Sequence, residues 1–80
     1  MSGPMNPADP GAKAERALSP RERQVLALMA TGAPDGEIAS RLSIRKSTVR
    51  THVKSICGKL SAPGRLQATL WAVKNLRPPV

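Results

Sequence analysis

Phenylalanine and tyrosine are absent, and Trp71 is the only aromatic residue in the 80-residue chain. A core built on stacked rings is thereby excluded, which leaves Leu, Val, Ile, Ala and Met to fill it. The platforms on which unpaired bases stack are missing too, so single-strand nucleic-acid binding by stacking is disfavoured. Cys57 stands alone, so no intrachain disulfide can form, and a cytoplasmic setting is expected. No apolar run approaches the length of a membrane span, and the start MSGPMNPADPG has no apolar stretch. Neither a membrane partner nor a secretory signal is therefore expected. The single His52 has no second histidine and no acid beyond position 37 to join it, so no metal or cofactor is called for. Paired carboxylates, a nucleophile–base pair and a glycine-rich phosphate loop are all lacking, which argues against an enzyme.

The acids also stop early. Asp9, Glu15, Glu22, Asp35 and Glu37 are the whole set, while the basic residues continue from Arg41 to Arg77 and the net charge is +8. A positive second half points to a polyanion, with duplex nucleic acid first and an anionic membrane surface second. A folded part of roughly 60 residues buries only about 60% of its unfolded surface, so local helical contacts are the economical way to build a core.

The elements follow from caps and periodicity. Residues 1–16 are rich in Pro, Gly, Ala and Asp and read as an unstructured linker or an expression remnant. Residues 17–77 form the foldable unit. Its first helix begins at Ser19, an N-cap followed by Pro20 at the first helical position and Glu22 completing a capping box. Leu18 is placed to staple onto this helix, Val25, Leu26 and Met29 form its inward face, and Gly32 stops it. A second helix opens at Pro34 or Asp35 and runs to about Leu42, burying Ile38, Ala39 and Leu42. Ser43-Ile44-Arg45 is a turn. The third and longest helix covers about Lys46 to Leu60. Val49, Val53, Ile56 and Leu60 mark its apolar stripe, and Lys46, Arg50 and Lys54 recur on another side. Gly58 marks either fraying or close approach to something. A fourth helix, from about Arg65 to Leu76, carries more apolar residues (Leu66, Leu70, Trp71, Val73) than one small core requires.

The segments LSPRERQVLALMATG, EIASRL, TVRTHVKSICGKL and RLQA, in that order and spacing, resemble the LuxR-type (GerE-like) DNA-binding domain. This is the output domain of NarL/FixJ-type response regulators and quorum-sensing regulators. The resemblance implies an all-α, four-helix tetra-helical helix-turn-helix fold. It implies sequence-specific binding of double-stranded promoter DNA, dimerisation there, and regulation of bacterial transcription, with RNA polymerase a further partner. Carried over by position, it places Arg50, Thr51 and Lys54 in the groove, Ser47 and Thr48 near the backbone, and Lys59 on the phosphate side. Arg45 and Lys46 add charge at the start of the same helix. Arg50 and Lys54 also lie off the apolar stripe, and Arg50 suits either a guanine or a phosphate. Leu70, Trp71, Val73 and Lys74 are the dimerisation candidates.

Three departures stand out. Arg45 replaces the usual serine cap, leaving Ser43 or Ser47 to cap with a shifted start. Asp35-Gly36 stands where the family often has Asn-Lys, and Asp35 is expected to repel a phosphate. Pro63-Gly64 replaces a polar cap before the last helix. The Asp35-Gly36 and Arg45 departures support an alternative reading as a protein-interaction module that uses the apolar fourth helix, with a degenerate helix-turn-helix. Region 4 of sigma factors shares the E-I-A and T-V elements, but His52, Lys59-Leu60 and the Arg65/Gln67/Ala68 segment favour the LuxR type. His52 reads mainly as a packed residue, and Arg65 as a brace for the third helix.

Overall fold

The computed structural model describes residues 10–76, which form five helices and no strands. They are α1 (Pro10–Ala17), α2 (Pro20–Ala30), α3 (Asp35–Leu42), α4 (Lys46–Leu60) and α5 (Arg65–Asn75). The expectation of an unstructured start falls outside the described residues at positions 1–9. At Pro10–Ala17 the chain is helical instead. Pro10 occupies the first helical position, where its missing N–H costs nothing, and Ala, Lys, Glu and Arg after it are good helix formers. Arg23 ties the two first helices together, donating to Glu15 Oε2 at 2.7 Å and to the Glu15 carbonyl at 3.1 Å.

The capping box on α2 is complete: the Glu22 N–H donates to Ser19 Oγ (3.1 Å) and the Ser19 N–H donates to Glu22 Oε1 (2.8 Å). Leu18 does not staple α2, because the position it would meet is Arg23; it is buried in the core instead. Three helices end alike. The N–H of the second residue past the turn reaches back five positions, in Ala33 to Leu28, Ile44 to Ala39 and Ala62 to Cys57. That closure needs a left-handed residue. Gly32 supplies it after α2 with φ 87°, but Ser43 and Ser61 supply it after α3 and α4 with φ 56° and 54°. Ser43 therefore closes α3 and is not free to cap α4. Ser47 does not cap it either: Arg45 holds the cap position without a side-chain hydrogen bond.

α2 is central, packing against both α4 and α5, and α3 packs on α4. Val25, Leu26, Met29, Ile38, Val49 and Ile56 fill the middle. Val49 and Ile56 are the fully buried members of the expected α4 stripe, whereas Val53 and Leu60 lie half-buried at its edges. On α5 the core face is Ala68 and Ala72, one turn apart, which lets the α5 backbone approach α2 closely. Trp71 is half-buried against the core, while Leu66, Leu70 and Val73 point outward.

Candidate nucleic-acid interface

The exposed side of α4 is a single stripe. Ser47, Arg50, Thr51, Lys54 and Gly58 are all exposed and recur at i, i+3, i+4, i+7 and i+11. The stripe contains no acid and no large apolar side chain. Its start is flanked by Arg45 and Lys46, both exposed. The first turn of α4 holds no acidic residue and no side-chain cap, so its free N–H groups and the positive end of the helix dipole remain open to an anion. Thr51 donates its hydroxyl back to the Ser47 carbonyl at 3.1 Å. Thr48 is half-buried at the edge of the stripe, and His52 is half-buried on the flank.

Two expected site residues are engaged in ion pairs. Lys59 is exposed, but its ammonium donates to Glu22 Oε1 at 2.7 Å. Glu22 itself is buried, and its second oxygen accepts from Ser55 Oγ at 2.5 Å. Burial alone would push the Glu22 carboxyl up. The hydrogen bonds from Lys59, the Ser19 backbone and Ser55, with the Lys59 charge, outweigh it and lower the pKa from 4.5 to about 2. One carboxylate thus caps α2 and clamps it to α4.

The other engaged residue is Arg50. Asp35, at the start of α3, accepts from Arg65 Nη1 at 2.5 Å and faces Arg50 Nε at 3.8 Å. Arg65 therefore braces α3 through Asp35 rather than bracing α4 directly. The charge of Asp35 is balanced by two guanidiniums, which removes much of its expected repulsion toward a phosphate. Lys46 lies against the start of α3 without pairing, its Cε 4.0 Å from where a Gly36 Cβ would stand. Neither the Glu22–Lys59 nor the Asp35–Arg65 pair has a local signal, since their partners are 37 and 30 residues apart.

A basic, acid-free helix face presented after a three-residue turn matches what the comparisons find. The model for "Bacterial regulatory proteins, luxR family" matches residues 16–72. The chain belongs to this luxR family. Membership gives the domain its function, DNA binding in the regulation of transcription. The Escherichia coli K12 nitrate/nitrite response regulator protein NarL is 46% identical over 54 residues, covering 68% of this chain and 25% of the relative. The CsgBAC operon transcriptional regulatory protein of the same strain is 40% identical over 60 residues, 75% of this chain and 28% of the relative. The Staphylococcus aureus NCTC 8325 response regulator protein VraR is 41% identical over 58 residues, 72% of this chain and 28% of the relative. The chain thus spans about a quarter of the length of these luxR-family relatives. No solved structure matches it. Among the described residues no helix is long and apolar enough to cross a membrane.

Proposed function

We propose that α4 is the recognition helix of a sequence-specific promoter-binding domain spanning residues 17–77, laid in the major groove of double-stranded DNA. The observation that carries this reading is the exposed Ser47–Arg50–Thr51–Lys54–Gly58 stripe, with every acid excluded from it. A helix fits the major groove, and cations and small hydroxyls are the groups that meet base edges and phosphates there. Arg45, Lys46 and the uncapped start of α4 meet the adjacent phosphates. Gly58, with nothing within 4 Å of where its Cβ would be, leaves the far end of the stripe low. Lys59 acts through Glu22 as a structural tie. On this reading the domain works in the cytoplasm, with RNA polymerase as a further partner.

Arg50→Ala and Lys54→Ala should each weaken binding to a selected duplex by about 1–3 kcal/mol while leaving the helical content unchanged. Titration of a site selected from random duplexes, alongside circular dichroism, measures both. Near-parental affinity in both variants would remove α4 from the groove.

Pairing of two copies is proposed through α5. Leu66, Leu70 and Val73 recur at i, i+4 and i+7 and are 64%, 53% and 61% exposed, an apolar stripe turned away from the core. Lys74 flanks it, and the half-buried Trp71 borders it instead of leading it. The stripe is short and the chain carries +8, so two copies repel in free solution. Phosphates neutralise that repulsion on a two-half-site operator. A monomer at micromolar concentration and cooperative filling of adjacent half-sites are expected. Sedimentation without DNA and footprinting with it decide the matter. Independent filling by the parent, or unaltered cooperativity in Leu70→Ser, would assign α5 another role.

A further inference from the structure

We infer that Asp35 is a positioning residue for Arg50, and that it makes Arg50 a reader of guanine instead of a phosphate clamp. The inference rests on α4 being the recognition helix. Asp35 is well placed for such work because it is itself held. Its Oδ1 accepts from Arg65 Nη1 at 2.5 Å, its side chain is only 20% exposed, and its backbone is fixed in the first turn of α3. The other oxygen, Oδ2, faces the Nε of Arg50 at 3.8 Å.

The atom that Asp35 faces decides the consequence. A guanidinium has two edges that can meet an acceptor pair: the side edge, with Nε and one Nη, and the end edge, with both Nη groups. In Arg50 the side edge is turned toward Asp35. The end edge remains for an outside partner, on a side chain that is 68% exposed. Two parallel donors at the end of an extended arginine match the O6 and N7 acceptors of guanine in the major groove. A phosphate, which offers acceptor oxygens on every side, has no requirement for that edge. An Arg50 left without Asp35 would swing among rotamers and take whichever anion is nearest. Asp35 therefore favours discrimination over bare affinity, and Arg65 keeps it in place from α5.

The test uses the 80-residue chain, a duplex selected by that chain from random sequence, and the same duplex with each guanine replaced in turn. The ratio of affinities measures guanine discrimination. One guanine per half-site should be lost from the preference in Arg50→Ala. Asp35→Asn, which keeps the shape and removes the charge, should lower the ratio at that guanine about two- to fivefold, the range of an exposed ion pair. It should not lower affinity for random duplex. In the Arg50→Ala background, Asp35→Asn should leave the ratio unchanged. Asp35→Ser replaces it should the asparagine variant melt early by circular dichroism. A parental ratio in a folded Asp35 variant overturns the inference, as does an equal change with and without Arg50. Uniform loss of affinity on all duplexes in Arg50→Ala makes Arg50 a phosphate contact and overturns it too, while leaving the recognition helix standing. Failure of the recognition-helix reading looks different: neither Arg50→Ala nor Lys54→Ala would alter binding to any duplex.

Discussion

Ile56→Ala is expected to destabilise the domain by about 2–5 kcal/mol, the range for truncating a fully buried aliphatic side chain. Ile56 is completely buried on the inner face of α4, in the same core as Val25, Leu26 and Met29 of the central helix α2. The removed methyl groups leave a cavity that rigid helix backbones close only in part. A domain of this size has a total stability on the order of 3–10 kcal/mol, so the variant should be partly unfolded at room temperature. Urea denaturation followed by far-UV circular dichroism measures the loss. Leu60→Ala, at a half-buried position of the same helix, should cost markedly less, and Leu70→Ala on the exposed stripe should be nearly neutral. Equal midpoints for Ile56→Ala and the parent would mean that α4 packs through a different face.

Glu22→Gln should be the second largest effect, about 2–3 kcal/mol, and it should change how stability responds to acid. The folded carboxyl titrates at about 2 against an ordinary 4.5. A lowered folded pKa means that the ionised form is favoured by the native state, so this stability is fully present above about pH 4.5. It is lost as pH falls from there through about 2. The gap sets an upper limit of about 3 kcal/mol, reduced somewhat because Lys59 at the far end of the pair is 36% exposed. The amide keeps the shape of the capping box but cannot balance the Lys59 ammonium. Denaturant midpoints taken at several pH values should fall steeply between pH 4.5 and 2 for the parent and more gently for Glu22→Gln. Parallel curves would assign the acid sensitivity to another group.

Helix positions were legible because their signals are local. The capping box at Ser19–Glu22 and the apolar repeat from Val49 to Leu60 lie within a few residues of the bonds they control, and α2 and α4 begin where those signals put them. The exposed stripe was legible for the same reason: Arg50 and Lys54 lie one turn apart, on the side that the apolar repeat leaves out. What escaped had no local mark. Ser43 and Ser61 adopt a backbone conformation for which glycine is the usual signal, so neither announces a helix end. The core face of α5 consists of two alanines, while the larger Leu66, Leu70 and Val73 draw the eye to the outside. The Lys59–Glu22 tie has no local mark because Glu22 is already accounted for by its own capping box, and the Asp35–Arg65 pair has none because its partners lie in different helices. Pairs brought together only by folding leave no periodicity to read.

Among the described residues every carboxylate has a cation: Glu15 has Arg23, Glu22 has Lys59, Asp35 has Arg65 and Arg50, and Glu37 has Arg41. Arg45, Lys46 and Lys54, beside and on α4, have no such partner in that set, and neither do Arg16, Arg21 and Lys74 away from it. The grip available for arbitrary DNA is thus small and local, despite the high overall charge. The three beside and on α4 would release on the order of three counterions, a shallow dependence on salt for a basic protein. A grip of that size gives short dwell times between targets. On the reading that α4 enters the groove, the domain stays longest where Arg50 and Lys54 find their bases.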